Sequence, residues 1–445
     1  MRKSSSKIPY IRTELPGPKT REVLEEDKRY VWPTLSPHPP IVWDEGIGAI
    51  VKDIDGNVFI DFTSGVVCTN TGHCHPEVVK AIKNQVERLI HCYDFAHSVR
   101  YKAFKALSEV LPSELKKILL LSTGTEATEA SIKVARAYTK KIEIISFYGA
   151  FHGRTYLATT LGSWKVPDYA PYDHSVIQVP YAYCYRCPFD KTYPECDLYC
   201  IHAIEEAIKY QSSGNIAALI IEPYQGSAGN IVPPREFLQS LKKLCDEHEV
   251  IFIADEIQSG FGRTGKFFAI EHFSIVPDIL LAGKGIASGV PTSMVATRSE
   301  LVEKLKPGSM SSTFGGNPLS CAAIVATVKV MREEKLPENA ERMGRYAAKR
   351  LEEMLSRYKY LGDVRVLGLA IALEFVEDKR SKKPAPGIAE KIVYSAFKRG
   401  LLLLNPIGVY RNCIRLAPPL TIDKEIMDKG LDILEEAIRE VCLTS

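Results

Sequence analysis

Lys284 stands between two glycines in AGKG, directly after the apolar run ILLA. Most lysines are solvated surface groups. An amine held between two flexible residues at the end of a strand can instead be brought, unprotonated, against a carbonyl carbon to form an imine. Asp255 ends another apolar run, IFIAD, which places a carboxylate at the carboxyl end of a central strand, where α/β sheets collect binding groups. A carboxylate there can pair with a protonated pyridine nitrogen and keep the ring an electron sink. Gln258, three residues on, can donate to a phenolic oxygen. Gly124 and Thr125 stand where an apolar strand, KKILLLS, meets a helix, TGTEATEASIKVARAYT. Free N–H groups at a helix start, with the hydroxyls of Ser122, Thr123 or Thr125, make a phosphate cradle, with plain helix capping as the alternative. Phe151 and His152 follow a further strand, and an aromatic ring there can stack on a planar ligand. These groups together call for an aldehyde that carries both a pyridine ring and a phosphate. Pyridoxal 5′-phosphate is that molecule.

The elements that must position these groups alternate after Pro112. KKILLLS, KIEIISFYG, AALIIEP, EVIFIADE and ILLA are apolar runs without strict polar alternation, and helical stretches such as FLQSLKKLCDEHE separate them. That pattern fits a mostly parallel sheet covered on both faces, an α/β fold. Ahead of it, VKDIDG and NVFIDF read as a hairpin turning at Asp55-Gly56, and HPEVVKAIKNQVERLI as an amphipathic helix. Behind it, VRVLGLAIALEFV reads as strands, and AEKIVYSAFKRG and MDKGLDILEEAIREV as helices. The expected domains are 76–325, holding the cofactor, and a smaller α/β domain from 326–445 joined by the N-terminal segment 1–75.

The chain has 445 residues, 45% apolar and 25% charged, with a net charge of +3 and its Lys and Arg scattered among Asp and Glu. That offers nucleic acid no basic stripe, and no apolar run approaches the length of a membrane span. The start, MRKSSSKIPYIRTELPGPK, lacks the apolar core of a signal peptide, so the expected location is the cytoplasm. Seven of eleven cysteines are solitary, but Cys184, Cys187, Cys196 and Cys200 form CxxC, eight residues, then CxxxC. Such spacing can hold a tetrahedral metal or an iron–sulfur centre. Local disulfides or four free thiols are the plainer readings, and no metal is assigned.

At this point the chain resembles a family. PGPK, DGNVFIDFTSGVVCTNTGHCHP, STGTEATEA, FHGRT, EPYQG, ADEIQSGFGRTG, GKGIASG, STFGGNP and IRLAPPL stand in the order found in class III (ornithine and 4-aminobutyrate type) aminotransferases of fold type I. The resemblance implies Lys284 as the Schiff-base lysine, Asp255 on the ring nitrogen, Gln258 on the ring oxygen, Gly124 and Thr125 on the phosphate, and Phe151 over the ring. His152 and Glu222 count among the cofactor residues. Thr313 would reach the phosphate of a neighbouring subunit, so a homodimer is the smallest active unit expected, with pairing into tetramers left open.

The resemblance further implies transamination between an amino acid and a 2-oxo acid such as 2-oxoglutarate, with the Lys284 amine as the base at Cα. Arg415 would clamp the α-carboxylate and Arg154 a distal one, each bidentately. The family's ω-aminotransferases carry EPxQxE, whose second glutamate masks the arginine matching Arg415. Here EPYQGSAG keeps Glu222 but puts Ser227 at the second position, which favours α-amino acids. The family also contains amino acid racemases, which need a second proton donor, an aspartate expected at the Ser227 position. Serine is a poor acid, which weakens but does not remove that alternative. Val66, Val67, Tyr93 and the loop around Tyr224 are the expected walls of a broad, apolar-tolerant substrate pocket.

Overall fold

The computed structural model describes residues 8–36, 38–162 and 170–444. The chain divides into two units, Met1–Pro76 with Glu338–Ser445, and Glu77–Pro337. The first unit opens with strands β1 (Trp43–Ile47), β2 (Ile50–Asp53) and β3 (Val58–Asp61). β2 and β3 pair antiparallel across the turn expected at Asp55-Gly56. Gly56 takes φ +84°, a left-handed value that glycine adopts without a Cβ clash. The Asp53 carboxylate closes the turn, accepting from Asp55 N–H at 3.0 Å and Asn57 N–H at 2.8 Å.

The second unit carries β4 (Lys117–Leu121), β5 (Glu143–Phe147), β6 (Val176–Val179), β7 (Ile216–Ile221), β8 (Ile251–Glu256), β9 (Ile279–Ala282) and β10 (Ser293–Thr297). They form one sheet in the order β4-β10-β9-β8-β7-β5-β6. Pairings from β9 through β6 are parallel, and β10 alone runs antiparallel to both of its neighbours. Every residue of β7, β8 and β9 is buried, which is why these strands read as continuous apolar runs rather than alternating ones. The cover helix Arg235–Glu247 buries Phe237, Leu238, Leu241, Leu244 and Cys245, a stripe at helical spacing. The helix Gly124–Thr139 buries Ala127, Ala130, Ile132, Val134 and Ala135 against Ile220, Ile253 and Leu281 of the sheet.

The expected domain break at 325/326 falls inside the helix Pro318–Glu333. That helix is buried along most of its length and packs on the helix Ser98–Ser108, so all of it stays with the large sheet and the break lies at 337/338. Beyond it, β11 (Leu361–Leu367), β12 (Ala370–Phe375) and β14 (Cys413–Leu416) form an antiparallel sheet, while β13 (Leu401–Leu402) joins β3 in parallel. Phe59 of β3 stacks on Phe397 at 5.5 Å, which ties the two ends of the chain into one core. Among the described residues no helix is long and apolar enough to cross a membrane.

Candidate active site

Five segments follow the carboxyl ends of β4, β5, β7, β8 and β9, and they line one cavity of about 330 Å³. That volume lies at the lower end of the range for small-molecule sites. The lining brings together Gly124, Thr125, Phe151, His152, Arg154, Glu222, Ser227, Asp255, Gln258 and Lys284, ten residues singled out by the sequence.

Asp255 ends β8 beside Glu256, and the strand pleat sends the two carboxylates to opposite faces. Glu256 is fully buried and satisfied by Ser259 Oγ at 2.5 Å and by the Ala269 and Ile270 N–H groups, so its role is structural. Asp255 is 4% exposed and faces the cavity, with Oδ2 on His152 Nδ1 at 2.7 Å and Oδ1 accepting from Ile257 N–H at 3.0 Å. Burial alone would lower the His152 pKa, but the hydrogen bond and charge of Asp255, with the charge of Glu222, raise it. His152 Nε2 is buried without a hydrogen-bond partner in the protein. The histidine therefore orients and steadies Asp255, and its ring lies along the cavity wall.

Glu222 does not point a free carboxylate at a ligand. Its oxygens accept from Phe151 N–H at 2.9 Å and Gly226 N–H at 3.0 Å, so it clamps the loop after β5 to the loop after β7. Burial pushes its pKa up to about 7; the charge of His152 opposes that rise and that of Asp255 adds to it. The Phe151–His152 loop is fixed a second time by Thr128 Oγ1 donating to His152 C=O at 2.9 Å.

At the other end of the cavity the helix Gly124–Thr139 begins. Thr123 is its cap: its hydroxyl accepts from Glu126 N–H, while Glu126 Oε2 accepts from Thr123 N–H at 2.7 Å and Ser122 N–H at 3.0 Å. This capping box occupies Thr123, and Ser122 lines a different cavity. Of the three hydroxyls proposed for a phosphate cradle, Thr125 alone faces the site. The Gly124 and Thr125 N–H groups occupy the first helical positions, where no intrahelical acceptor exists. With the helix dipole they make an anion site. Gly153, at φ +140°, is required there, because a Cβ would come within 2.3 Å of Thr125 Oγ1.

Lys284 follows β9 with φ +41°, in the left-handed region. Gly226 leaves room for the Gln258 amide, whose Oε1 would lie only 1.8 Å from a Cβ. Ile257 was not legible as a site residue. It lines the cavity, and Cβ atoms on Gly124 and Gly283 would come within 3.0 and 3.2 Å of its side chain. One glycine beside the lysine therefore makes room for Ile257, an apolar surface from which a planar ring gains contact. The paired signal was present, two residues after Asp255, but nothing in an apolar residue after a strand distinguishes it from core. Tyr224, 2% exposed, also lines the site.

The remaining predicted residues stand elsewhere, except Arg154, which lines this cavity from an exposed position. Thr313 is exposed and lines a second cavity of about 450 Å³ beside the start of the helix Gly124–Thr139. Arg154 is exposed, its guanidinium 5.5 Å from the Phe151 ring centroid. Arg415 belongs to the other unit, buried on β14 opposite Ala372 of β12, and so do Val66 and Val67. Tyr93 is exposed and outside the cavity lining. The four clustered cysteines line a separate small cavity and share no residue with this one.

The donor set fits pyridoxal 5′-phosphate: an anion cradle, a buried carboxylate for a ring nitrogen, an amide for a ring oxygen, faces for a ring, and an amine. Comparison with known proteins agrees. The model of the aminotransferase class-III family matches residues 33–438. A leucine/methionine racemase of Thermococcus litoralis is 39% identical over 94% of this chain and 96% of its own. An acetylornithine aminotransferase of Methanopyrus kandleri is 40% identical over 90% of this chain and 95% of its own. The solved ornithine aminotransferase of Toxoplasma gondii superposes with a TM-score of 0.84 at 31% identity, covering 96% of each chain.

Proposed function

The chain belongs to the class III aminotransferases, pyridoxal-phosphate enzymes of fold type I, and on that premise we propose that it moves the α-amino group of an amino acid to a 2-oxo acid such as 2-oxoglutarate. When bound, the cofactor supplies an aldehyde carbon that captures the amino group and a pyridinium ring that takes up electron density from Cα. Asp255, oriented by His152, would hold the ring nitrogen protonated. The Gly124 and Thr125 N–H groups and the Thr125 hydroxyl would hold the phosphate, with Phe151 and Ile257 against the ring and Gln258 on its oxygen. Lys284 Nζ would take the proton from the substrate Cα and hold it for return, the proton transfer that must precede hydrolytic release of the oxo acid.

Ser227 is the observation that carries the α-amino acid reading. It lines the cavity at the position where ω-acting members carry a glutamate, so that position offers no carboxylate to neutralise Arg415. Arg415 is assigned to the α-carboxylate, and Arg154 to a distal one, on their motifs. The same residue bears on a second reading, racemisation, which the 39%-identical racemase favours. Returning the proton to the opposite face of Cα requires an acid facing Lys284. Ser227 is a weak one, so that duty would fall to Tyr224 or water.

A chiral assay with a panel of L-amino acids, run with and without 2-oxoglutarate, separates the two. Glutamate formed only with the acceptor, and no D-product, supports transamination. D-amino acid accumulating without any acceptor sinks it in favour of racemisation.

A further inference from the structure

Between β6 and the helix Tyr199–Gln211, Cys184, Cys187, Cys196 and Cys200 all line one cavity of about 20 Å³, roughly the room a single water or ion needs. The first pair spans a 3-10 turn, Cys184–Arg186, and the second straddles the start of the helix, with Tyr199 N–H bonded to Cys196 C=O at 3.0 Å. None of the four is in a disulfide, and unlike Cys245, Cys321 and Cys413 none is buried as a small hydrophobe. We propose that these four thiols bind one thiophilic divalent cation, zinc, at a structural site independent of the cofactor cavity.

Three further features support it. Half of the remaining lining is aromatic, with Phe189 and Tyr199 edge to face at 5.1 Å, so the thiols are gathered against packed rings. A tetrathiolate centre keeps a charge of −2, and Lys191 lines the same cavity with its ammonium 4.6 Å from the Tyr199 ring centroid. Asp190, Asp197 and Leu198 hold φ of +52°, +46° and +50° within this one loop. A left-handed bulky leucine is costly, and a cross-link from Cys196 to Cys200 would hold the chain in it. Among the described residues no three ligating side chains already close around a point, so binding turns the thiols inward to about 2.3 Å from the ion. Four S–H bonds break, four Zn–S bonds form, four protons pass to the buffer, and nothing is oxidised.

The test uses the full-length holoenzyme, purified without chelator and equilibrated with zinc alone, then measured for bound zinc and for cofactor. About one zinc per chain is expected, with occupancy falling at least tenfold in Cys184→Ser/Cys196→Ser while cofactor content is unchanged. Because that variant can misfold, the wild-type chain is also alkylated under native conditions, where zinc should slow modification of these four thiols at least tenfold. Metal-free protein with four thiols that alkylate at the same rate with or without zinc overturns the proposal. So does an intact mass that shows them joined as disulfides.

Discussion

Each unit buries a knot of charge, one cation to two carboxylates, and the two differ in what they face. In the smaller unit Arg365 lies 2.8 Å from Glu374 and 2.5 Å from Asp363, with Asn412 Nδ2 donating to the Phe375 carbonyl beside them at 2.7 Å. The guanidinium meets carboxylates, and the cluster serves to join β11, β12 and β14. In the larger unit two carboxylates, Asp255 and Glu222, share one imidazole, His152, and the group opens on a cavity. Burial there holds Glu222 up to about 7, with the charge of Asp255 adding to the rise and that of His152 opposing it. A charged cluster closed in among strands is architecture, whereas one that opens on a cavity keeps a face for a ligand.

The contrast is sharpest at Lys284. Lys284→Ala should lower turnover roughly 10²- to 10⁴-fold while leaving the fold intact, read by steady-state kinetics beside circular dichroism. A comparable loss from Arg365→Leu with stability unchanged would break the distinction between the clusters. For Arg365→Leu the expected loss is instead in folding, about 3–5 kcal/mol, because Glu374 stays buried and loses its guanidinium. The double variant with Glu374→Leu should recover most of it in urea melts.

Next in size is a pH effect. The folded pKa of Glu222, about 7, lies above its ordinary 4.5, so its contribution to stability is full below the lower value and is lost as pH rises through the upper. The raised His152 acts in the same direction, its contribution disappearing above its own folded pKa. In the cofactor-free chain Glu222→Gln should lower stability at low pH, since the amide cannot accept from both N–H groups, and the loss should shrink as pH rises. The substitution should also flatten the decline between pH 5 and pH 8 by up to about 3 kcal/mol. An unchanged slope would mean that Glu222 titrates normally.

The smallest expected effect is at Gly226→Ala, where the new methyl must displace the Gln258 amide. Turnover should fall about tenfold, or about 1.4 kcal/mol, with a shifted cofactor absorption band. Full activity would remove Gln258 from the site.

Much of the large unit was legible because its signals are local. Apolar runs betray buried parallel strands, and a polar residue at their ends, Asp255 or Lys284, stands out against them. Ile257 and the clamp formed by Glu222 were not legible, since an apolar side chain after a strand and a carboxylate in a loop have many uses. The domain break was misplaced for a related reason: the helix Pro318–Glu333 is apolar enough to belong to either unit, and its packing partner lies far away in sequence.

The sequence by itself determined the elements, the cofactor chemistry and the set of residue types, because hydrophobic period and motif spacing are properties of neighbouring residues. Only the tertiary structure decided which hydroxyl of Ser122, Thr123 and Thr125 faces the site and which carboxylate of Asp255 and Glu256 remains open to a ligand. It also decided that Glu222 is spent on backbone amides. Those outcomes depend on hydrogen-bond partners contributed by distant segments, and a buried polar group takes its role from the partner it finds.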